Sequence, residues 1–160
     1  MVFIKIILIL SLFAVLFQDM KERKVFWFMF PLIGILSGIL YYYNTLPELF
    51  FTSFYLNLSF ISILILIVFL YSRLKLKESL LNVIGLGDIL LFMVLSASFS
   101  TVSFVVIFLG ALIFSLLLHV VKTKDFKSPI SVPLAGYMCL FFSIAYIIQW
   151  SGISVNLYSL

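Results

Sequence analysis

The chain has 160 residues, of which 65% are hydrophobic and only 10% are charged. Soluble domains carry about 25% charged residues, so this chain has too few charges to cover a water-facing surface. Intrinsic disorder is excluded as well, because it requires low hydrophobicity and high charge. The net charge of +4 is too small and too dispersed to indicate nucleic-acid binding, and the single cysteine, Cys139, excludes an intrachain disulfide. The composition predicts an all-α protein that crosses a membrane several times.

Six apolar segments have roughly the length that a membrane helix needs, which is about 20 residues. We predict six transmembrane helices at residues 2–17, 25–43, 49–71, 79–99, 102–121 and 132–150. The first segment also resembles the apolar part of a signal peptide, but no small-residue cleavage pattern precedes Gln18. No separate soluble domain is indicated, so we interpret residues 1–160 as a single polytopic membrane domain.

Basic residues are confined almost entirely to alternate connections between these segments, and only Lys5 lies elsewhere. The positive-inside rule assigns the basic connections to the cytoplasm and both termini to the outer side. Aromatic residues are enriched where helices leave the membrane, and we expect Tyr41, Tyr42, Tyr43 and Trp150 at the outer boundary. The bases that define the orientation are Lys21, Arg23, Lys24, Arg73, Lys75, Lys77, Lys122, Lys124 and Lys127.

A GxxxG motif lies within the second predicted span, formed by Gly34 and Gly38. Small residues at this spacing allow two membrane helices to approach closely. The second helix could be within the same chain or in another subunit, and we favour packing within the chain.

Two acidic residues lie where an ionised group is costly in a membrane. Asp19 ends the first span at its cytoplasmic side, and Asp88 follows Gly85-Leu86-Gly87. Each glycine lowers helix propensity by about 1 kcal/mol, so the sequence favours a break or a helix start here. The fourth helix begins either near Ser79, with Asp88 inside the membrane, or near Gly87, which leaves it short. Glycine also lets another backbone approach closely, as a cleaved peptide would.

The predicted topology brings Asp19 and Asp88 to the same membrane face. Two neighbouring carboxyls do not both ionise easily, so one keeps a proton while the other acts as a base. This is the arrangement with which aspartic proteases activate water. The structural alternative is that Asp88 caps the fourth helix and that Asp19 pairs with Lys21 or Arg23.

Three stretches resemble one family of membrane proteases. Gly85-Leu86-Gly87-Asp88 matches the GxGD motif of intramembrane aspartic proteases, and residues 19–25 resemble the pattern around the first catalytic aspartate of type IV prepilin peptidases. Residues 127–136 resemble the proline-bearing stretch that opens that family's last helix, and six spans is the family's number. The chain differs in having Phe26-Trp27 where the family often has Pro-Asn or Pro-Asp, and Leu90 where a lysine is common.

The resemblance implies a minimal prepilin peptidase without the cysteine-bearing insert that is linked to methylation. Asp19 and Asp88 would be the catalytic residues, and Gly85 and Gly87 would form active-site backbone. No metal or organic cofactor is expected. The substrate would be a pilin-like precursor, whose short basic leader is removed at the cytoplasmic face of a prokaryotic inner membrane. The partners would thus be this precursor and membrane lipid, and the oligomeric state is not indicated.

Two other classes of function stay open. One is a small transporter or channel subunit in which Asp88 binds a cation or a proton at a broken helix. Such a protein is expected to contain inverted repeats or a second broken helix, and the sequence displays neither. The other is a non-catalytic membrane scaffold, which would tolerate the loss of either aspartate.

Overall fold

The computed structural model describes residues 1–77, 84–122, 133–152 and 157–158. Within these ranges all regular secondary structure is helical, which confirms the predicted all-α class. The helices are α1 (Val2–Glu22), α2 (Met29–Tyr43), α3 (Pro47–Tyr71), α4 (Leu86–Leu95), α5 (Thr101–Lys122) and α6 (Leu134–Trp150). A π-helical turn, Ser72–Leu76, directly continues α3. Several predicted features lie outside the described residues. They include residues 79–83 of the fourth predicted span, residue 132 of the sixth, and residues 127–132 of the proline-bearing stretch. The charged residues outside the described ranges are Glu78, Lys124, Asp125 and Lys127.

Helix length divides the described helices into two groups. Three of them, α1, α3 with its π-helical extension, and α5, are long and apolar enough to cross a membrane. The other three, α2, α4 and α6, have 15, 10 and 17 residues. These are shorter than the roughly 20 residues of a full span. The helices therefore indicate a multi-pass membrane protein, whereas the six-span count and the outer position of both termini stay predictions.

Proline explains where several helices begin. Pro31 lies in the first turn of α2, Pro47 is the first residue of α3, and Pro133 directly precedes α6. Proline lacks a backbone N–H and is tolerated in the first turn, where that donor has no partner within the helix. For this reason α2 begins at Met29, four residues after the start of the predicted span.

The fourth helix is the short alternative of the two that the sequence left open. It begins at Leu86, directly after Gly85, and the first turn contains Asp88. It ends at Leu95, and the hydroxyl of Ser96 donates to the Met93 carbonyl at 2.6 Å. Serine side chains that bond nearby carbonyls compete with the helical backbone. The helix therefore ends four residues before the predicted span does.

The helix α6 lies at the centre of the bundle, where it packs against α1 and α5 and also contacts α4. By contrast, α3 lies at the edge, and only Asn57 and Ile61 are buried among its residues. Phe50, Phe60, Leu64 and Ile65 pack partly against the core, whereas many of the remaining aliphatic and aromatic side chains of α3 form a broad exposed apolar surface. An apolar surface of this extent suits contact with lipid rather than water.

The GxxxG motif of α2 packs within the chain, against α4. A Cβ added at Gly34 would lie 3.0 Å from the Cβ of Val94, and one added at Gly38 would lie 3.6 Å from the Cβ of Ala97. Glycine is therefore required for the close approach at Gly34, whereas Gly38 has ordinary contact distance to spare.

Aromatic residues fill the bundle at the end of α6 where that helix terminates. Tyr41, Phe99, Tyr146 and Tyr158 are all buried there. The ring centroids of Phe99 and Tyr146 are 4.8 Å apart, and those of Tyr41 and Tyr158 are 5.6 Å apart. We call these four residues the tyrosine end of the bundle. Tyr41 is thus a core residue and not part of the expected boundary belt.

Non-helical backbone at the tyrosine end is bonded to neighbouring elements. The side-chain amide of Asn57 donates to the carbonyls of Ser96 and Phe99 at 2.9 and 3.0 Å. Ser100 donates its backbone N–H and its hydroxyl to the Leu157 carbonyl at 3.3 and 3.1 Å. Irregular backbone at membrane depth requires this kind of protein contact, because lipid offers no hydrogen bonds.

Candidate active site

Asp19 lies in the last turn of α1 and is half-buried. Its Oδ2 accepts a hydrogen bond of 2.7 Å from the backbone N–H of Gly136. Gly136 is in the first turn of α6, where backbone N–H groups have no partner within the helix. The carboxyl of Asp19 therefore caps a helix that lies far away in the sequence.

Asp88 is also half-buried and lies in the first turn of α4. Its carboxyl lies close to the backbone amides of Gly85 and Ala135. The contact with Gly85 is local and resembles the one in which an acidic residue caps its own helix. The contact with Ala135 is long-range, and Ala135 is the residue next to Gly136. The two carboxyls thus lie against adjacent residues at the start of α6.

The structure brings the two sequence-predicted aspartates together in one site. The carboxyls of Asp19 and Asp88 interact electrostatically with each other, and both line a cavity of about 990 Å³. The first turn of α6 contacts both of them, and the positive end of the helix dipole there favours negative charge. A third element therefore reduces the repulsion between two acidic groups that the other helices bring close.

Part of this geometry agrees with the structural alternative. The contact between Asp88 and Gly85 is the local one that helix capping predicts, and Arg23 is close enough to attract Asp19. Capping of α4 by its own Asp88 and pairing of Asp19 with Arg23 do not explain, however, why both carboxyls face one cavity at the start of a third helix, α6.

The two glycines of the GxGD motif contribute space more than backbone flexibility. Gly85 has φ −61° and ψ 146°, an extended conformation that any residue adopts. A Cβ there would lie 3.3 Å from Oδ2 of Asp88, which is tighter than ordinary contact. A Cβ at Gly87 would lie 3.4 Å from the ring of Phe30. Gly85 therefore leaves room for the Asp88 carboxyl, and both glycines line the cavity.

Gly136 is a site residue to which sequence reasoning gave no role. A Cβ added there would lie 3.2 Å from both Cβ and Oδ2 of Asp19, and 3.4 Å from the Leu16 carbonyl oxygen. The feature of the sequence that pointed toward Gly136 was the proline-bearing stretch, which ends at this glycine. That stretch did not identify Asp19 as the partner of Gly136, because the two residues are separated by 117 positions in the chain.

The rest of the cavity wall has a charged part and an apolar part. Arg23 ends α1 in the left-handed conformation, with φ 52°, and the turn that follows brings Arg23 and Lys24 to the cavity. Leucine side chains from α4 and α5 line it as well: Leu90, Leu112 and Leu116. Among the described lining residues, the charged ones are the two aspartates and these two bases.

This arrangement places two carboxyls and an apolar wall on one cavity. Carboxyls in such positions act as general acid and general base, provided that one of them carries a proton. Nowhere in the described ranges do three His, Cys, Asp or Glu side chains form a group that could hold a metal ion.

Comparison of the chain with protein-family models, with curated proteins and with solved structures finds no match in any of the three. The functional interpretation therefore depends on the geometry of this site and on the motifs that form it.

Proposed function

We propose that the chain is an intramembrane aspartic endopeptidase of the prepilin type. In this proposal it removes the short basic leader of type IV pilin-like precursors at the cytoplasmic face of a prokaryotic inner membrane. Asp19 and Asp88 are the catalytic residues, Gly85 and Gly87 form active-site backbone, and no cofactor takes part.

One observation carries the proposal. Asp19 and Asp88 are separated by much of the chain, yet their carboxyls interact with each other, line one cavity and lie against adjacent residues at the start of α6. Bringing two acidic groups together in an apolar protein is costly, so a purely structural role gives little reason for it. Perturbed acidic groups that converge in a cleft are typical of catalytic sites.

The proposed reaction needs only the two carboxyls and water. The ionised carboxyl takes a proton from a water molecule, whose oxygen attacks the carbonyl carbon of the scissile peptide bond. The protonated carboxyl donates its proton to the carbonyl oxygen. As the tetrahedral intermediate collapses, the C–N bond breaks and the proton taken from water passes to the leaving amine. One hydroxyl of the intermediate re-forms the C=O bond and returns its proton to the other carboxyl. One water is consumed, and the pair again holds a single shared proton.

The apolar part of the cavity suits a substrate that is anchored in the membrane. Leu90, Leu112 and Leu116 line the cavity beside the aspartates, and the Leu116 side chain is also exposed on the outside of the bundle. An apolar segment of a precursor could pack against these leucines while its first polar residues reach the carboxyls. This is the geometry needed to cleave next to a membrane helix.

The test is to co-express the chain with a pilin-like precursor and to follow leader removal by the change in precursor mass. We expect that Asp19→Asn and Asp88→Asn each abolish processing while the amount of membrane-inserted protein is unchanged. Glu22→Gln is the matched control, because Glu22 is an exposed acid at the end of α1 and is not among the residues lining the cavity.

Other outcomes would contradict the proposal. Undiminished processing in both variants would rule out Asp19 and Asp88 as a catalytic pair and would favour a scaffold. Loss of processing in Asp88→Asn alone would contradict a two-carboxyl mechanism. A wild-type chain that leaves all precursors intact but moves protons or cations into liposomes, with loss of transport in Asp88→Asn, would favour the transporter.

A further inference from the structure

The connection between α1 and α2 exposes three consecutive aromatic side chains, Phe26, Trp27 and Phe28. We call these three residues the aromatic turn. Trp27 is 74% exposed and also lines the cavity, whereas the rings of Phe26 and Phe28 stack on each other with their centroids 5.6 Å apart. The proposed reaction uses none of these side chains, so their exposure has a separate cause.

Contacts with the bundle hold the backbone of the aromatic turn. The backbone N–H of Phe26 donates to Oε1 of Gln18 at 3.2 Å, and the N–H of Met29 donates to the Phe26 carbonyl at 3.0 Å. Val25, which directly precedes the turn, packs against the hydrophobic core. The folded backbone therefore presents the three aromatic side chains on the surface beside the cavity.

The length of α1 indicates where the aromatic turn lies relative to a membrane. The 21 residues of α1 extend about 32 Å, which is close to the roughly 30 Å of a hydrocarbon core. The helix ends at Glu22, and Arg23 and Lys24 follow, so charged groups appear where α1 leaves the hydrocarbon. The aromatic turn begins two residues later, at the level of the lipid headgroups. Tryptophan is enriched at this level, because its ring is apolar while its N–H can reach polar groups.

We propose that the aromatic turn inserts into the headgroup layer of the phospholipid bilayer and anchors the mouth of the aspartate cavity there. Aromatic side chains next to a basic pair are the composition of segments that bind a membrane interface. The anchor is a feature of this chain, since Phe26 and Trp27 stand where the family that it resembles often has Pro-Asn or Pro-Asp. The inference does not rest on the proposed function, because a transporter or a scaffold with this fold would be anchored in the same way.

The chain contains two tryptophans, which makes the position of Trp27 directly measurable. Trp150→Phe leaves Trp27 as the single tryptophan and retains an aromatic ring beside Tyr146. The purified full-length protein is placed in nanodiscs of phosphatidylcholine with bromine either near the headgroup end or near the methyl end of the acyl chains. We expect the shallow bromine to quench Trp27 fluorescence about twofold more strongly than the deep bromine, and aqueous acrylamide to quench it weakly.

A position in the middle of a long helix calibrates the depth measurement. Ile63 is exposed near the middle of α3, so I63W in a W27F/W150F background should be quenched more strongly by the deep bromine. If W150F does not enter nanodiscs, the difference in fluorescence between the wild type and W27F reports on Trp27 instead.

Serine substitutions test whether the three aromatic residues act together. In the W150F background, we expect F26S/F28S to raise the acrylamide quenching of Trp27 about twofold, because less apolar surface then holds the turn in lipid. F3S/F51S is the matched control, since it removes two exposed phenylalanines elsewhere and should leave the quenching of Trp27 unchanged.

Four results would overturn the inference. Strong quenching by acrylamide and by neither bromine would place Trp27 in water, and stronger quenching by the deep bromine would place it in the hydrocarbon. Protection from all three quenchers would show that protein, such as a second copy of the chain, covers the turn. Unchanged quenching in F26S/F28S would show that the two phenylalanines do not contribute to an anchor. The measurements involve no peptide cleavage, so this inference and the protease proposal can fail separately.

Discussion

The two ends of the helix bundle treat their polar groups in different ways. At the aspartate end, defined by Asp19, Asp88 and the first turn of α6, the carboxyls face a cavity of about 990 Å³. At the tyrosine end, the exposed fraction of Tyr146 is 0% and that of Tyr41 is 1%. The same helix, α6, joins the two ends, and Gly136 and Tyr146 lie about 15 Å apart along it.

The difference in burial between the two ends distinguishes polar groups that stabilise the fold from polar groups that remain accessible. Asn57 at the tyrosine end is fully buried, and both hydrogens of its amide bind carbonyls that follow α4. The carboxyls at the aspartate end are only half-buried and retain access to a cavity. Polar groups that only stabilise a membrane protein are enclosed by protein, because lipid cannot satisfy them. The accessible acidic pair is therefore the part of the molecule to which we assign the proposed chemistry, and the enclosed tyrosine end is the part to which we assign stability.

The largest effect is expected from the aspartates themselves. Asp19→Asn and Asp88→Asn should each lower kcat by at least about 100-fold, because general acid–base catalysis contributes effects of this size. The double variant should lose no more than either single variant, since the two carboxyls act as one unit. Initial rates on a purified precursor measure this. If the fold-losses in kcat of the two single variants multiply in the double variant, the aspartates act independently, and the prediction that they form one catalytic unit is wrong.

At the tyrosine end, Asn57→Ala should lower stability and leave the chemistry intact. It deprives the carbonyls of Ser96 and Phe99 of their donor, and we expect a loss of about 1–3 kcal/mol in the free energy of unfolding. Part of this is offset because Oδ1 of Asn57 has no hydrogen-bond partner among the described residues. Unfolding in mixed micelles measures the change. The control is Ser62→Ala, an exposed position on the same helix, and an equal loss there would contradict the prediction.

Gly136→Ala should affect activity more than stability. The added methyl would press on the Asp19 side chain at 3.2 Å, and a small displacement of a catalytic group lowers rates strongly. We expect kcat/KM to fall about tenfold. Gly110→Ala is the matched crowding control, because its methyl would lie 3.1 Å from the Phe141 ring, against α6 but away from the aspartates. Equal activity losses in the two variants would show that packing around α6, and not the position of Asp19, sets the rate.

The smallest expected effects are on stability and concern Gly34 and Gly38, the two glycines through which α2 packs against α4. Gly34→Ala should destabilise the fold by about 1 kcal/mol, because its methyl would meet the Cβ of Val94 at 3.0 Å and that atom cannot rotate away. Gly38→Ala should stay within about 0.5 kcal/mol of the wild type, since 3.6 Å is an ordinary contact. Thermal unfolding in detergent compares them. A larger loss in Gly38→Ala would show that another surface covers the motif.

Several features of the fold could be predicted from local sequence. Apolar segments and prolines indicate helices and their beginnings, because each depends on residues that are close in the chain. The acidic pair could also be predicted, since Asp19 and Asp88 are rare charges in apolar surroundings. The hydrogen bonds that hold the backbone after α4 could not be predicted, because their donor is Asn57 of α3, which is 39 and 42 residues away from the accepting carbonyls in the chain.

Three consecutive tyrosines illustrate what local sequence does not predict, which is the burial of an individual side chain. Tyr41, Tyr42 and Tyr43 look equivalent as a sequence, yet their exposed fractions are 1%, 42% and 68%. The Tyr41 ring is buried because Tyr158, from the far end of the chain, stacks on it. No local pattern carries that information, since it depends on which helices become neighbours.

By itself, the sequence determined that this protein is helical and apolar, and it predicted that the bases and two unusual acids favour one side of the bundle. Hydropathy and charge act residue by residue, so composition and spacing suffice for those conclusions. Only the tertiary structure decided that the first turn of α6 packs against both carboxyls, that Gly136 must lack a side chain, and that Arg23 and Lys24 share the cavity. These features arise from contacts between distant parts of the chain, which packing selects and local sequence does not encode.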